Sequence, residues 1–176
     1  ARNLYLMETQ KIKIPMWFCI SINLYEKYYS SIEERVNTLV KEIDIENIAN
    51  ITEVSNKIKL LFKTIIIDEA DQELILSSID DIKYFAVRSS ALGEDGLNNS
   101  FAGQLSSFLY IKKENIIDRV IECWSSAYTD RVIQYNCING ISHSNLKVGV
   151  IVQEMVHSKK SLGSSEITII GNQPGY

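Results

Sequence analysis

Apolar positions follow one rhythm in the first half of the chain and another in the second, with the change near residue 82. Before it, helical spacing dominates. Leu4, Leu6 and Met7 among polar residues predict a short helix over 2–12, ending before Pro15. Met16 to Ile22 is rich in Trp, Phe and Ile and predicts a buried strand. Pro15 is tolerated at its entrance, because a strand's first residue need not donate to the ladder. Asn23 with Glu26 three residues on resembles a capping box. Tyr25, Tyr28, Tyr29, Ile32, Val36, Leu39, Val40 and Ile43 then recur at helical spacing and predict one amphipathic helix over 24–43. After a connector at 44–51, Thr52 is placed as the cap of a helix running to 64, with Val54, Ile58, Leu61 and Phe62 on one face. Asp68 caps a helix over 69–79, whose acidic first turn suits the helix dipole.

Asp80 and Asp81 form a polar break, and a strand is predicted at 83–88. Turn residues cluster from Ser89 to Ser100, and after Gly103 the chain is apolar and β-prone again to Ile111. Residues 112–135 carry Ile116, Val120, Trp124, Ala127, Tyr128, Val132 and Tyr135 at helical spacing, predicting the longest helix. A loop is expected at 136–145, and a central strand at Val148 to Val152. Residues 166–170 are a weaker strand candidate, before a turn-like end.

The sequence has 176 residues, 45% hydrophobic and 23% charged, which is ordinary for one globular domain or two small ones. Its formal net charge of −4 leaves no basic footprint for nucleic acid, while allowing a local basic pocket. The cysteines are Cys19, Cys123 and Cys137. They are odd in number and lack CxxC spacing, so neither a disulfide framework nor a metal-ligand set is indicated. No apolar run is long enough to span a bilayer and no signal peptide opens the chain, so no membrane partner is expected and a cytoplasmic location is. The initial Ala reads as a processed or trimmed end.

The candidate chemistry sits where the rhythm changes. Phe85-Ala86-Val87-Arg88-Ser89-Ser90-Ala91 runs through a polar stretch to Phe101-Ala102-Gly103-Gln104 and on to Leu109-Tyr110-Ile111. A strand ending in Arg-Ser-Ser and returning through Ala-Gly-Gln could wrap backbone N–H groups, hydroxyls and a guanidinium around an anion. By spacing alone a surface hairpin with an exposed arginine is preferred, because no Walker-type or Rossmann glycine pattern is present. Trp17 and Trp124 read as core, His143 as solvated and Arg131 as structural.

Four stretches carry a further signal, in order. Asn3-Leu4 with Ile14-Pro15 precedes an apolar strand. Val87-Arg88-Ser89-Ser90-Ala91 is followed by Glu94-Asp95 and Ser100-Phe101-Ala102-Gly103-Gln104. Cys123-Trp124-Ser125-Ser126 is followed by Thr129-Asp130-Arg131 and Tyr135. Val150-Ile151-Val152-Gln153-Glu154-Met155-Val156 closes the series. Together they resemble the N-terminal nucleotide-binding domain of the pyruvate phosphate dikinase and phosphoenolpyruvate synthase family, which includes rifampin phosphotransferases and glucan water dikinases.

The resemblance implies an α/β (α+β) fold of ATP-grasp-like type, with ATP and Mg²⁺ as cofactors. It implies phosphoryl transfer to a histidine on a separate phosphohistidine domain and then to an acceptor such as pyruvate. Arg88 matches the arginine that contacts the ATP phosphates, and is the catalytic candidate. Ser89, Ser90, Phe101, Ala102, Gly103 and Gln104 match the phosphate loop. Ser107 stands where the family often has threonine, with its hydroxyl in reach of a phosphate or Mg²⁺. Gln153, Glu154 and Met155 match the adenine segment. Residues 1–82 would be a helix-rich part and 83–176 the phosphate-loop and adenine-strand part of the same unit.

Departures from the family pattern are expected to matter. The Gly-Gly-Lys motif would lie before Ala1, and the Mg²⁺-binding carboxylate and glutamine would lie beyond this chain's end. Ser106 replaces a common acidic residue and Asn136 a common arginine, and residues after Val156 do not match. His157 does not resemble the phosphorylated histidine. The unit is therefore expected to be incomplete, with weak or no ATP binding alone. An antibiotic phosphotransferase, a non-catalytic regulatory module and a structural or interaction domain stay open as alternatives.

Overall fold

The β-branched run at Val148–Glu154 forms strand β4, which takes an inner place in a four-stranded antiparallel sheet. Strand β1 (Trp17–Ile20) lies on one side of it. Strand β2 (Phe85–Ala91) lies on the other, with β3 (Ser107–Ile111) beyond, giving the order β1-β4-β2-β3. This computed structural model describes residues 2–91, 106–142 and 147–156. The architecture is α+β.

Period-two alternation gives the sheet two unlike faces. Ile20, Phe85, Val87, Val148, Val150 and Val152 point to one side and are at most 5% exposed. Helices cover this side. Among the described residues the helices are α1 (Arg2–Thr9), α2 (Ile22–Tyr29), α3 (Glu33–Val40), α4 (Ile48–Phe62), α5 (Glu69–Leu76), α6 (Ile116–Ser125) and α7 (Asp130–Asn139). Of these, α6 packs on β2 and β4, and α2 packs on β4. The core between them is strongly aromatic. Tyr25 meets Trp124 edge-on at 5.9 Å, and Tyr29 and Tyr128 share a hydrogen bond of 2.9 Å between their hydroxyls. Offset and edge-on ring pairs of this kind fix mutual orientation as well as burying area.

Several predicted elements are corrected by local hydrogen bonding. The helix expected over 24–43 is two helices, α2 and α3. At the break Ser30 Oγ donates to Lys27 O at 2.8 Å and Ser31 Oγ to Tyr28 O at 2.7 Å. Hydroxyls that bond the preceding turn compete with helix continuation. The buried stripe Tyr25, Tyr28, Tyr29, Ile32, Val36 nevertheless runs through the break. The helix expected over 112–135 is likewise split, into a 3₁₀ turn at Lys113–Asn115, then α6, a 3₁₀ turn at Ser126–Tyr128, and α7. Ser125 Oγ and Ser126 Oγ donate to the carbonyls of Glu122 and Cys123, and Thr129 is extended. α7 runs on to Asn139, into the predicted loop, and stops at Gly140 with φ of 65°. The left-handed region suits a glycine at a helix end.

The caps are mixed. Ser21 precedes α2 without a side-chain cap bond, so the Asn23–Glu26 capping box does not form. Asn47, not Thr52, caps α4 by accepting from Asn50 N–H. Thr52 lies inside α4, where its hydroxyl donates to Asp130 Oδ2 at 2.7 Å and ties α4 to α7. Asp68 caps α5 as expected, accepting from Asp71 N–H at 2.9 Å, although α5 stops at Leu76. The strand candidate at 166–170, His143 and His157 lie outside the described residues.

Candidate functional site

Strand β2 does not end at Arg88. Arg88, Ser89 and Ser90 are inside it, paired with Ile151, Val150 and Gly149 of β4. The expected loop guanidinium is therefore a guanidinium on a rigid inner strand. A ligand group on such a strand is held more closely than one on a loop.

The register sorts the candidate residues by face. On the side opposite α2 and α6, one row across the sheet reads Trp17, Gln153 and Ala86. The next reads Cys19, Ile151, Arg88 and Ser107, and the third brings Gly149 beside Ser90. Arg88, Ser90, Ser107 and Gln153 thus share one open face, and all remain at least partly accessible. Ser89 and Glu154 do not join them. Ser89 turns to the helix side, where its Oγ donates to Ser106 O at 2.9 Å. Glu154 accepts from Lys83 Nζ at 2.9 Å, and this bond holds the Lys83 ammonium above its ordinary pKa. Phe101, Ala102, Gly103 and Gln104 lie outside the described residues.

The open face has a polar end and an apolar end. Arg88 stands in the polar rows, between Ile151 and Ser107. The ion pairs among the described residues use Lys27, Lys57, Lys83, Lys113, Arg119 and Lys147, so no described carboxylate neutralises Arg88. Gly149, paired with Ser90, is buried and closely packed by backbone. A Cβ there would sit 3.3 Å from Ile20 O and 3.4 Å from Ser90 O. Leu109 and Tyr110 of β3 are 52% and 67% exposed, and Met155 Sδ accepts from Tyr110 N–H at 3.0 Å. Such a face offers a cation and two hydroxyls for an anionic group, and a thioether with apolar surface for a flat ring.

Sequence reasoning did not name Gly149, quoted Ile151 and Leu109 only within longer stretches, and read Trp17 as core. Trp17 is instead half-buried on the edge strand, facing the open side. The usable signal was the alternation in β4, but it acts only once the pairing with Arg88 is known. A separate recess of about 480 Å³ opens on the helix side, with Lys59, Lys63, Ser106, Glu122, Ser125 and Thr129 in its wall. None of the candidate ligand residues lines it. Among the described residues no group of three or more His, Cys, Asp or Glu could hold a metal ion, so no Mg²⁺ ligand is assigned. Nor, among them, is any helix long and apolar enough to cross a membrane.

The sequence matches the family model described as pyruvate phosphate dikinase, AMP/ATP-binding domain, over residues 1–165. It is 33% identical over 162 residues to a protein of Methanothermobacter thermautotrophicus named "Probable phosphoenolpyruvate synthase", covering 85% of this chain and 24% of that protein. It is 34% identical over 163 residues to the rifampicin phosphotransferase of Bacillus cereus, covering 89% of this chain and 19% of that protein. It is 34% identical over 129 residues to the phosphoenolpyruvate synthase of Pyrococcus furiosus, covering 73% of this chain and 14% of that protein. The chain therefore spans no more than about a quarter of the length of these relatives. With the family model matching nearly the whole sequence, the chain belongs to the pyruvate phosphate dikinase AMP/ATP-binding domain family.

Proposed function

We propose that the face of the sheet opposite α2 and α6 binds ATP, with the phosphates over Arg88, Ser90 and Ser107 and the base toward Gln153 and Met155. The observation that carries this is the register placing Arg88 between Ile151 and Ser107 on that face. Phosphoryl transfer depends mainly on positioning and on charge neutralisation at the transferred group. A guanidinium fixed on an inner strand supplies both without reorganising. The hydroxyls of Ser90 and Ser107 orient the phosphate. Mg²⁺ would share the charge of the phosphates.

In this reading the domain is an ATP-grasp-like unit of a cytoplasmic dikinase-type phosphotransferase. The phosphoryl group passes from ATP to a histidine on another domain of the protein, and then to an acceptor such as pyruvate. The names of the archaeal relatives favour pyruvate. The equally similar Bacillus cereus relative supports a second reading, in which the acceptor is a rifamycin antibiotic.

Calorimetric titration with ATP and Mg²⁺ tests the site, on the full-length protein and on its Arg88→Ala variant. Loss of a bidentate charge-assisted pair is expected to weaken binding by about a hundredfold or more. Equal affinity in the two proteins refutes the assignment of Arg88. Transfer from labelled ATP to pyruvate or to rifamycin, in the full-length protein, separates the two acceptors.

A further inference from the structure

Tyr110 has φ of 58°, in the left-handed region, although it is a bulky residue inside a strand. The register of β2 with β3 shifts between Phe85 and Val87, so the strain marks an irregularity in the edge strand. A large side chain in this region is strained, and such outliers persist only where the surroundings hold them. Two contacts hold this one. The Tyr110 ring meets the Tyr84 ring edge-on at 6.2 Å, and its N–H donates to Met155 Sδ at 3.0 Å. Met155 follows β4, while Tyr110 belongs to β3, and β2 lies between them. The Met155 side chain therefore reaches across the start of β2, where Tyr84 O also accepts from Met155 N–H at 2.8 Å.

We propose that the Tyr110 bulge is a positioning device for the nucleotide base: it aims a backbone N–H at the Met155 thioether and fixes that side chain across the sheet as a seat for a purine ring. This inference rests on the ATP reading above. A thioether is polarizable and packs well against an aromatic ring, but an unbranched methionine alone is flexible. A hydrogen bond to the sulfur removes that freedom before the base arrives, which lowers the ordering cost of binding. Tyr110 acts through Met155, so its effect falls on the base and not on the phosphates.

The test compares ATP with inorganic tripolyphosphate in the full-length protein, each displacing a fluorescent ATP analogue. Tyr110→Val disfavours the left-handed backbone, and Met155→Leu removes the acceptor while keeping the volume. Each is expected to weaken ATP by about five- to tenfold and to leave tripolyphosphate within about twofold. Tyr110→Gly accepts φ of 58° without strain and is expected to retain most of the affinity that Tyr110→Val loses. Parallel losses for ATP and tripolyphosphate would mean a merely structural role and overturn the proposal. ATP affinity unchanged in Met155→Leu, with both ligands lost in Arg88→Ala, would overturn it and leave the ATP site standing. ATP affinity unchanged in Arg88→Ala would remove the site and the device together. Met155→Leu decides the matter even where Tyr110→Val does not fold.

Discussion

Replacing Ser89 with alanine removes a hydroxyl that donates to Ser106 O over 2.9 Å. The acceptor is not orphaned, because the Ser89 backbone N–H also donates to Ser106 O, at 3.1 Å. The cost is therefore that of one neutral hydrogen bond, about 1 kcal/mol, without the larger penalty of a stranded carbonyl. For a chain of 176 residues this corresponds to a melting shift of about 2–4 °C. Ser89 faces the helices, so ATP affinity is expected to stay within about twofold. Ser90 is one residue on and faces the open side. Ser90→Ala is expected to leave melting unchanged and to weaken ATP by about three- to tenfold, the worth of one hydrogen bond. Thermal denaturation and ATP titration on both variants give the four numbers. A tenfold loss of ATP affinity in Ser89→Ala at unchanged melting would refute the face assignment on which the site is built.

Other consequences follow from the same geometry. Gly140→Ala forces a side chain into φ of 65° at the end of α7 and is expected to cost about 1 kcal/mol in denaturant unfolding, with ATP affinity unaffected. Lys27 and the Asp71 N–H hold the Asp68 carboxyl down to about 2, and Lys27 and the Tyr28 hydroxyl lower Asp71. A depressed carboxyl contributes stability above its unfolded pKa, near 4, and loses it as pH falls toward the folded value. Stability should therefore drop between about pH 4 and pH 2, and Asp68→Asn should flatten that part of an acid-unfolding curve. An identical slope in the variant would show that the Lys27 pair carries no such linkage.

Which parts of the fold could be read from the sequence depends on whether the deciding interaction is local. The stripe from Tyr25 to Val36 and the β-branched run at 148–152 mark buried faces directly, and both are buried. The helix ends were misread because serine and threonine end them here more often than glycine does. Thr9, Ser30, Thr64, Ser77 and Ser125 each return a hydroxyl to the carbonyl three residues back. Such a bond is cheap for the chain and invisible to hydrophobic spacing. Arg88 was found from its motif and placed at the end of the strand predicted at 83–88, but the strand's continuation to Ala91 was hidden, since Arg-Ser-Ser reads as a turn start. Ser89 and Ser90 look alike in sequence, and only the pairing of β2 with β4 sends them to opposite sides. Trp17 shows the same limit. Its apolar character suggests core, whereas its position on an edge strand leaves it half-exposed on the open face.

The most direct test of where the nucleotide lies is to follow backbone amide resonances of isotopically labelled protein as ATP is added. The account predicts the largest shifts at Arg88, Ser90, Gly149, Ile151 and Gln153, on both sides of the β2–β4 ladder. Shifts confined to Lys59, Lys63, Ser125 and Thr129, around the recess on the helix side, would contradict it.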